Sequence, residues 1–291
     1  MNFLVVLLVL VSAFLHAVRN LFTKQGGDKR VFIWWYEVFA LVFFLPFFIY
    51  FLLTERLNPL GVYIGLGVGL VHFFYWVFMA KSYEAGEFSH VYPITRSSPA
   101  LVLAASVLLL NEQVSFLGVA GILLTVFGIY MLHMKEFSLK EFIAPVYWIK
   151  EDKATRLAIV TLILVSTYSL VDKVGVQYIH PFIYSYLLNL SALAIFTSYI
   201  LKVRSREQIK SEWISNKKTI LANGFITFFG YLLILVAFTI EKVSYIVGLR
   251  EISVVFGVIM GRRLLNEGRM NVRLTAATII FIGSVSIAVA N

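Results

Sequence analysis

Runs of about 20 apolar residues, parted by short polar stretches, recur along the whole chain. At 1.5 Å per residue each run is long enough to cross a ~30 Å hydrocarbon layer as one helix. Ten such spans are predicted, at 2–22, 31–53, 60–80, 88–110, 114–133, 155–175, 180–202, 218–240, 243–265 and 270–290. The longest polar break, MKEFSLKEFIAPVYWIKEDKA at 134–154, divides five spans from five. The two halves resemble each other. LHAVRNLFTK (15–24) aligns with LVSTYSLVDK (164–173), and VYPITRSSPALVLAASVLLLNE (91–112) with YIVGLREISVVFGVIMGRRLLNE (245–267). The expected organisation is therefore a five-helix repeat over 1–133, an amphipathic cytoplasmic linker over 134–154 and a second five-helix repeat over 155–291. A repeat with an odd number of spans enters the membrane in opposite directions in its two copies, the inverted plan of many secondary transporters.

Composition supports a membrane protein: 60% of residues are hydrophobic and 14% charged, with a mean hydropathy of +0.85. Soluble domains average about 45–50% apolar and ~25% charged. A net charge of +9 would suggest nucleic acid in a soluble protein, but here the basic residues lie in clusters between the spans, so no nucleic-acid partner is expected. If loops alternate sides, nineteen of the 25 lysines and arginines fall on one side, whereas Arg56, Lys173 and Lys242 fall on the other. Positive charge marks the cytoplasmic side, which puts both termini of a multi-pass cell-membrane protein outside. The absence of cysteine excludes disulfides and thiolate metal sites. Residues 11–13, Val-Ser-Ala, resemble a signal cleavage site, but no basic stretch precedes them, so the first span is read as retained.

Polar groups inside the spans carry the functional argument, because an ionised side chain at the centre of a spanning helix costs about 2.5–3.5 kcal/mol unless it meets a partner or water. Arg96 and Arg250 lie near mid-span at matching positions of the repeat. Inverted copies would bring them to one site from opposite faces. The competing reading places Arg96 in the first turn of a helix begun by Pro93, from where it reaches the headgroups. Glu251 follows Arg250 directly, is a poor partner for it at about 100° around the helix, and is equally suited to a coupling proton or a structural ion pair. In the first span Ser12, His16, Asn20 and Lys24 form a stripe at intervals of four, echoed by Ser166, Ser169 and Lys173. Arg19 is expected to pair with Glu37. Tyr75, Trp76 and Tyr231 are the aromatic lining candidates farthest from span ends, with His72, Tyr184, Tyr186 and Asn189 behind them. Asn111-Glu112 and Asn266-Glu267 are read as turn and capping groups. Gly61, Gly65 and Gly69 give the third span a small-residue face for close helix contact.

At HAVRNLFTK, YPITRSSPALV, the two NE pairs and GLREISVVFG, the sequence resembles the EamA-type ten-helix members of the drug/metabolite transporter superfamily. The resemblance implies an all-α polytopic fold, two inverted five-helix repeats around a central cavity, with the fifth and tenth spans packed outside it. It also implies cytoplasmic termini, as described for many relatives, against the charge count.

The expected function is secondary active transport, by alternating access, of a small polar and anionic metabolite: an amino acid, an organic acid or a phosphorylated compound. Arg96, Arg250, His16, Asn20, Tyr75, Trp76 and Tyr231 are the substrate-binding candidates. Glu251, Glu37, Arg19, Lys24 and Lys173 are the candidates for coupling or ion pairing. Protons or a counter-substrate are the coupling partners considered, and a homodimer is left open. The alternatives are export of cationic drugs through Glu37 and Glu251, and a non-transporting scaffold. No ATP-binding loop, HExxH or GxSxG is present, so neither ATP drive nor an enzyme is expected, and no cofactor or metal.

The absence of native cysteine makes the orientation directly testable. A membrane-impermeant maleimide should label Glu55→Cys in intact cells and Ser205→Cys only after permeabilisation; the reverse pattern puts the termini in the cytoplasm.

Overall fold

The predicted spans are helical over nearly all of their described residues. The computed structural model describes residues 1–86, 88–131, 152–265 and 270–290, and no strand occurs among them. Its helices are α1 (Phe3–Gln25), α2 (Lys29–Thr54), α3 (Pro59–Ala85), α4 (Phe88–Arg96), α5 (Ser98–Leu110), α6 (Phe116–Met131), α7 (Lys153–Gly175), α8 (Pro181–Val203), α9 (Arg206–Ile240), α10 (Val243–Arg250), α11 (Ile252–Leu265) and α12 (Met270–Val289). Seven helical stretches are long and apolar enough to cross a membrane. Three shorter apolar ones, Ile94–Leu110, Phe116–Met131 and Leu274–Val289, bring the spans to ten. Large apolar side chains such as Phe3, Leu53, Leu108 and Phe116 stand exposed, as an all-helical polytopic protein requires where lipid is the solvent. Most of the 134–154 linker, and Asn266-Glu267, lie outside the described residues.

Two expectations about the spans need correction. The fourth and ninth are not continuous: each is broken at one residue, Ser97 between α4 and α5 and Glu251 between α10 and α11. The eighth span is preceded by helix where a loop was expected. Residues 206–215 are helical and turn into the span at Asn216 (φ −126°, ψ 15°). Tertiary contacts hold that extension. Glu212 accepts hydrogen bonds from the backbone N–H groups of Gly27 (3.1 Å) and Asp28 (2.9 Å), and Trp213 packs on Trp35 with ring centroids 4.8 Å apart.

The chain forms two compact units that draw on both sequence halves: residues 1–10, 74–170 and 241–291, and residues 11–73 and 171–240. In the first unit α6 and α12 cross where neither carries a side chain. A Cβ added to Gly121 would lie 2.8 Å from the Gly283 carbonyl oxygen, and one on Gly283 would lie 2.7 Å from that of Gly121. Glu112, just past the left-handed Asn111 that ends α5 (φ 54°), caps another helix. Its carboxylate accepts from Val243 N (2.6 Å), Ser244 N (3.3 Å) and Ser244 Oγ (2.7 Å) at the start of α10. The residue preceding α10, Lys242, makes no side-chain cap of its own, so the capping role read for Asn111-Glu112 is served across helices.

In the second unit α2 packs on α8 and α9 through aromatic contacts, with Phe44 stacked on Phe228 (4.2 Å) and Phe48 on Tyr186 (4.0 Å). The glycine face of α3 lies on α8, where a Cβ on Gly69 would sit 2.6 Å from the Leu188 carbonyl oxygen.

Gly283→Val would drive a side chain into the backbone of α6. Overpacking of this kind costs about 1–3 kcal/mol, so the variant should unfold at a clearly lower temperature than wild type. An unchanged melting temperature would show that the crossing is not this close.

Candidate functional site

The break after Arg96 follows from Pro99. Proline has no N–H to give the Thr95 carbonyl, and its ring crowds that carbonyl, so the α-helical ladder cannot run through. Tighter i→i+3 bonds bridge the gap: Ser97 N donates to Ile94 O (3.2 Å) and Ala100 N to Ser97 O (3.1 Å). The ninth span repeats the pattern at equivalent residues, with Glu251 N donating to Gly248 O (3.3 Å) and Val254 N to Glu251 O (2.9 Å). No proline marks this second break. Each arginine is thus the last residue of a half-helix, at the end where a helix dipole favours a cation. Arg96 does not occupy the first turn of a helix opened by Pro93, since α4 begins at Phe88. The headgroup reading therefore loses its structural premise.

The two breaks are joined by charge. Arg96 Nη1 lies 3.7 Å from Glu251 Oε1, an ion pair too long for a hydrogen bond. The Glu251 side chain is 1% exposed and that of Arg96 15%. The guanidinium also stands 5.2 Å from the ring centroid of Tyr92, one helical turn earlier on the same face. Arg250, buried at 7% exposure, acts on the same Glu251 carboxylate through space. Tyr75 is within electrostatic reach of Tyr92 and packs its ring 5.4 Å from Tyr168. The first unit thus brings together Arg96, Arg250, Glu251, Tyr92 and Tyr75. Trp76 is half-buried on the same stretch of α3.

The other sequence candidates belong to the second unit, apart from Ser166 and Ser169, which belong to the first. Asn20 is exposed and His16 half-buried. Ser12 is buried and donates to the Gly230 carbonyl (2.6 Å). The matching stripe in α7 is spent on its own backbone, Ser166 Oγ donating to Leu162 O and Ser169 Oγ to Val165 O. Arg19 and Glu37 do not close an ion pair within 4 Å among the described residues. Glu37 is buried with the Arg19 charge acting on it, while Arg19 donates to Asn20 Oδ1 at 3.4 Å. Lys173 donates to the Phe238 carbonyl (2.6 Å) in the last turn of α9, a helix-capping contact. The Lys24 side chain lies outside the described part.

Tyr231 finds a partner that sequence reading passed over, the fully buried Asp172. The signal was present, an acid inside an apolar span. Spacing by fours selected Lys173, and its neighbour about 100° around the helix went unread.

Residues 3–134 match the EamA-like transporter family. The match recovers the drug/metabolite transporter resemblance carried by the motifs of the first and fourth spans, and its members are membrane transporters. The fold likeness extends beyond the matched residues. A solved crystal structure of a protein with 16% identity superposes with a TM-score of 0.70 over 98% of this chain and 96% of its own. No curated protein matches the chain.

In a polytopic membrane fold the first-unit cluster has an unusual charge balance. Two guanidinium groups stand near one carboxylate inside an apolar span, so these three groups together carry a formal charge of +1. Glu251 Oε2 is buried with no hydrogen bond among the described residues. Such a group can hold an anion, and its orphaned oxygen can accept a proton or a donor.

The ion pair itself is measurable. Removing one partner of a buried pair costs about 3–5 kcal/mol because the other charge is stranded. Arg96→Met and Glu251→Gln should each destabilise the protein, and the double variant should be destabilised by less than the sum of the two, with a coupling energy of about 0.5–3 kcal/mol in a double-mutant cycle. Strict additivity would mean that the two groups do not interact.

Proposed function

We propose that the protein is a secondary active transporter of a small polar metabolite bearing an anionic group, held by Arg96 and Arg250 at the two helix breaks. The observation that supports this most is that Arg96 and Arg250 meet around the Glu251 carboxylate inside the spans, where a charged side chain is costly. The candidate classes are amino acids, organic acids and phosphorylated compounds. An amino acid would use all three charged groups, its carboxylate on a guanidinium and its ammonium on Glu251 Oε2. Discontinuous helices beside the binding site are the usual way for a transporter to place backbone and charge at mid-membrane. Export of organic cations is the less favoured reading, because Glu251 is already engaged by Arg96 and acted on by Arg250. Alternating access exposes the site to each side in turn, driven by protons or by a counter-substrate, with His16, Glu37 and Glu251 as candidates for the coupling group. The cell membrane, with both termini outside, is part of the same proposal.

Purified protein in proteoliposomes should take up at least one member of a radiolabelled panel of amino acids, organic acids and sugar phosphates, and the same solute should raise its melting temperature in a saturable way. Arg250→Ala should weaken binding of that solute by about 2–5 kcal/mol, thirtyfold or more in Kd. Glu251→Gln should then separate the classes, abolishing uptake of a zwitterion while sparing a dicarboxylate. Uptake of organic cations that survives Arg250→Ala, with no anion transported, would favour the exporter. A panel that leaves the melting temperature unmoved would favour a scaffold.

A further inference from the structure

The second unit contains a buried acid that the proposed function leaves unused. Asp172 lies in the apolar α7 span at 0% exposure and is held from three other helices. Tyr184 Oη of α8 donates to Oδ1 at 2.8 Å, Tyr231 Oη of α9 donates to Oδ2, and His72 Nε2 of α3 lies 3.4 Å from the same Oδ2. These are the hydrogen-bond partners of the carboxyl group among the described residues. The adjacent Lys173 is turned away to the Phe238 carbonyl. His72 is itself buried, and its ring meets that of Tyr231 edge-on at 5.7 Å. Two glycines make room for the clamp: a Cβ on Gly175 would lie 2.2 Å from the Tyr184 ring, and one on Gly65 would lie 3.3 Å from it.

A purely structural acid needs only enough donors to satisfy it, and the two tyrosines provide them. The imidazole adds a second titratable group at the same oxygen. Asp172 and His72 together are neutral when they share one proton, on Oδ2 or on Nε2. Losing it leaves one negative charge faced by two phenol donors, and gaining another leaves one positive charge. That proton is exchangeable once water reaches the pair. Acid–imidazole pairs inside spans are the usual components of proton relays.

We infer that the Asp172–His72 pair, clamped by Tyr184 and Tyr231, is a proton-binding site that couples transport to the proton gradient. This deepens the transport reading and rests on it for the coupling, though not for the proton exchange. One proton passes from hydronium on one side, which becomes water as its O–H bond breaks, to Oδ2 or Nε2, and from there to a water on the other side, which becomes hydronium, with no electron exchanged.

Infrared difference spectra between acid and alkaline pH, on protein in lipid, read the exchange without any solute. Wild type should show a protonated-carboxyl or imidazole signal that Asp172→Asn abolishes and that Tyr231→Phe, which keeps the acid, moves to a different pH midpoint. Difference spectra of folded Asp172→Asn that superimpose on wild type would overturn the proposal. If Asp172→Asn does not fold, Tyr231→Phe spectra identical to wild type would do the same. In proteoliposomes with an imposed pH gradient, Asp172→Asn should still exchange a panel amino acid or organic acid across the membrane and lose its gradient-driven accumulation. Accumulation equal to wild type refutes coupling through Asp172 and leaves transport standing. A normal infrared response with no solute moved by wild type refutes transport and leaves the proton site standing.

Discussion

Charge in hydrocarbon must be neutralised or wetted, and that constraint organises this protein. Arg96 meets it by reaching Glu251, and the pair ties the break in one half of the sequence to the break in the other. An isolated arginine at mid-span would have to bend toward the headgroups. Here the carboxylate that holds it sits at the equivalent position of the repeat, one residue beyond the matching Arg250. The arrangement keeps two guanidinium groups and one acid close together, with Glu251 and Arg250 buried.

The helix breaks show how local chemistry and tertiary contact share the work. Pro99 dictates the first, since no helix can keep its ladder past a missing N–H. The second has no proline, yet it repeats the same i→i+3 bonds at the same register. Its turn residue, Glu251, is the one whose side chain is gripped by Arg96. At the start of this half-helix the backbone is gripped too, through Glu112 on the first two N–H groups of α10. Both ends of α10 are therefore fixed by residues from the first sequence half, within one compact unit.

The ten spans were legible because lipid imposes a length and a polarity that a hydropathy count detects directly. The likeness to EamA-like transporters over residues 3–134 was legible in a few motifs around Arg96 and the first span. What escaped has common physical causes. The break at Glu251 and the helical stretch 206–215 depend on contacts between distant segments, which no local pattern encodes. Lys173 and the α7 serines form a convincing stripe on paper, but serine hydroxyls in a helix can satisfy themselves on the preceding turn, and a lysine near a helix end finds a carbonyl. Asp172 lies about 100° around the helix from that stripe, so a rule of spacing passes it by, although an acid in such a span is costly.

The account stands on Arg96 and Arg250 being charged groups that water and solute reach in mid-membrane. In the naturally cysteine-free chain, Arg96→Cys and Arg250→Cys place a single thiol at each position, and reaction with a water-soluble, membrane-impermeant maleimide reports aqueous access there. The account predicts that both thiols react and that a transported solute slows the reaction. Thiols inert to that reagent yet modified by a lipid-soluble maleimide would contradict it.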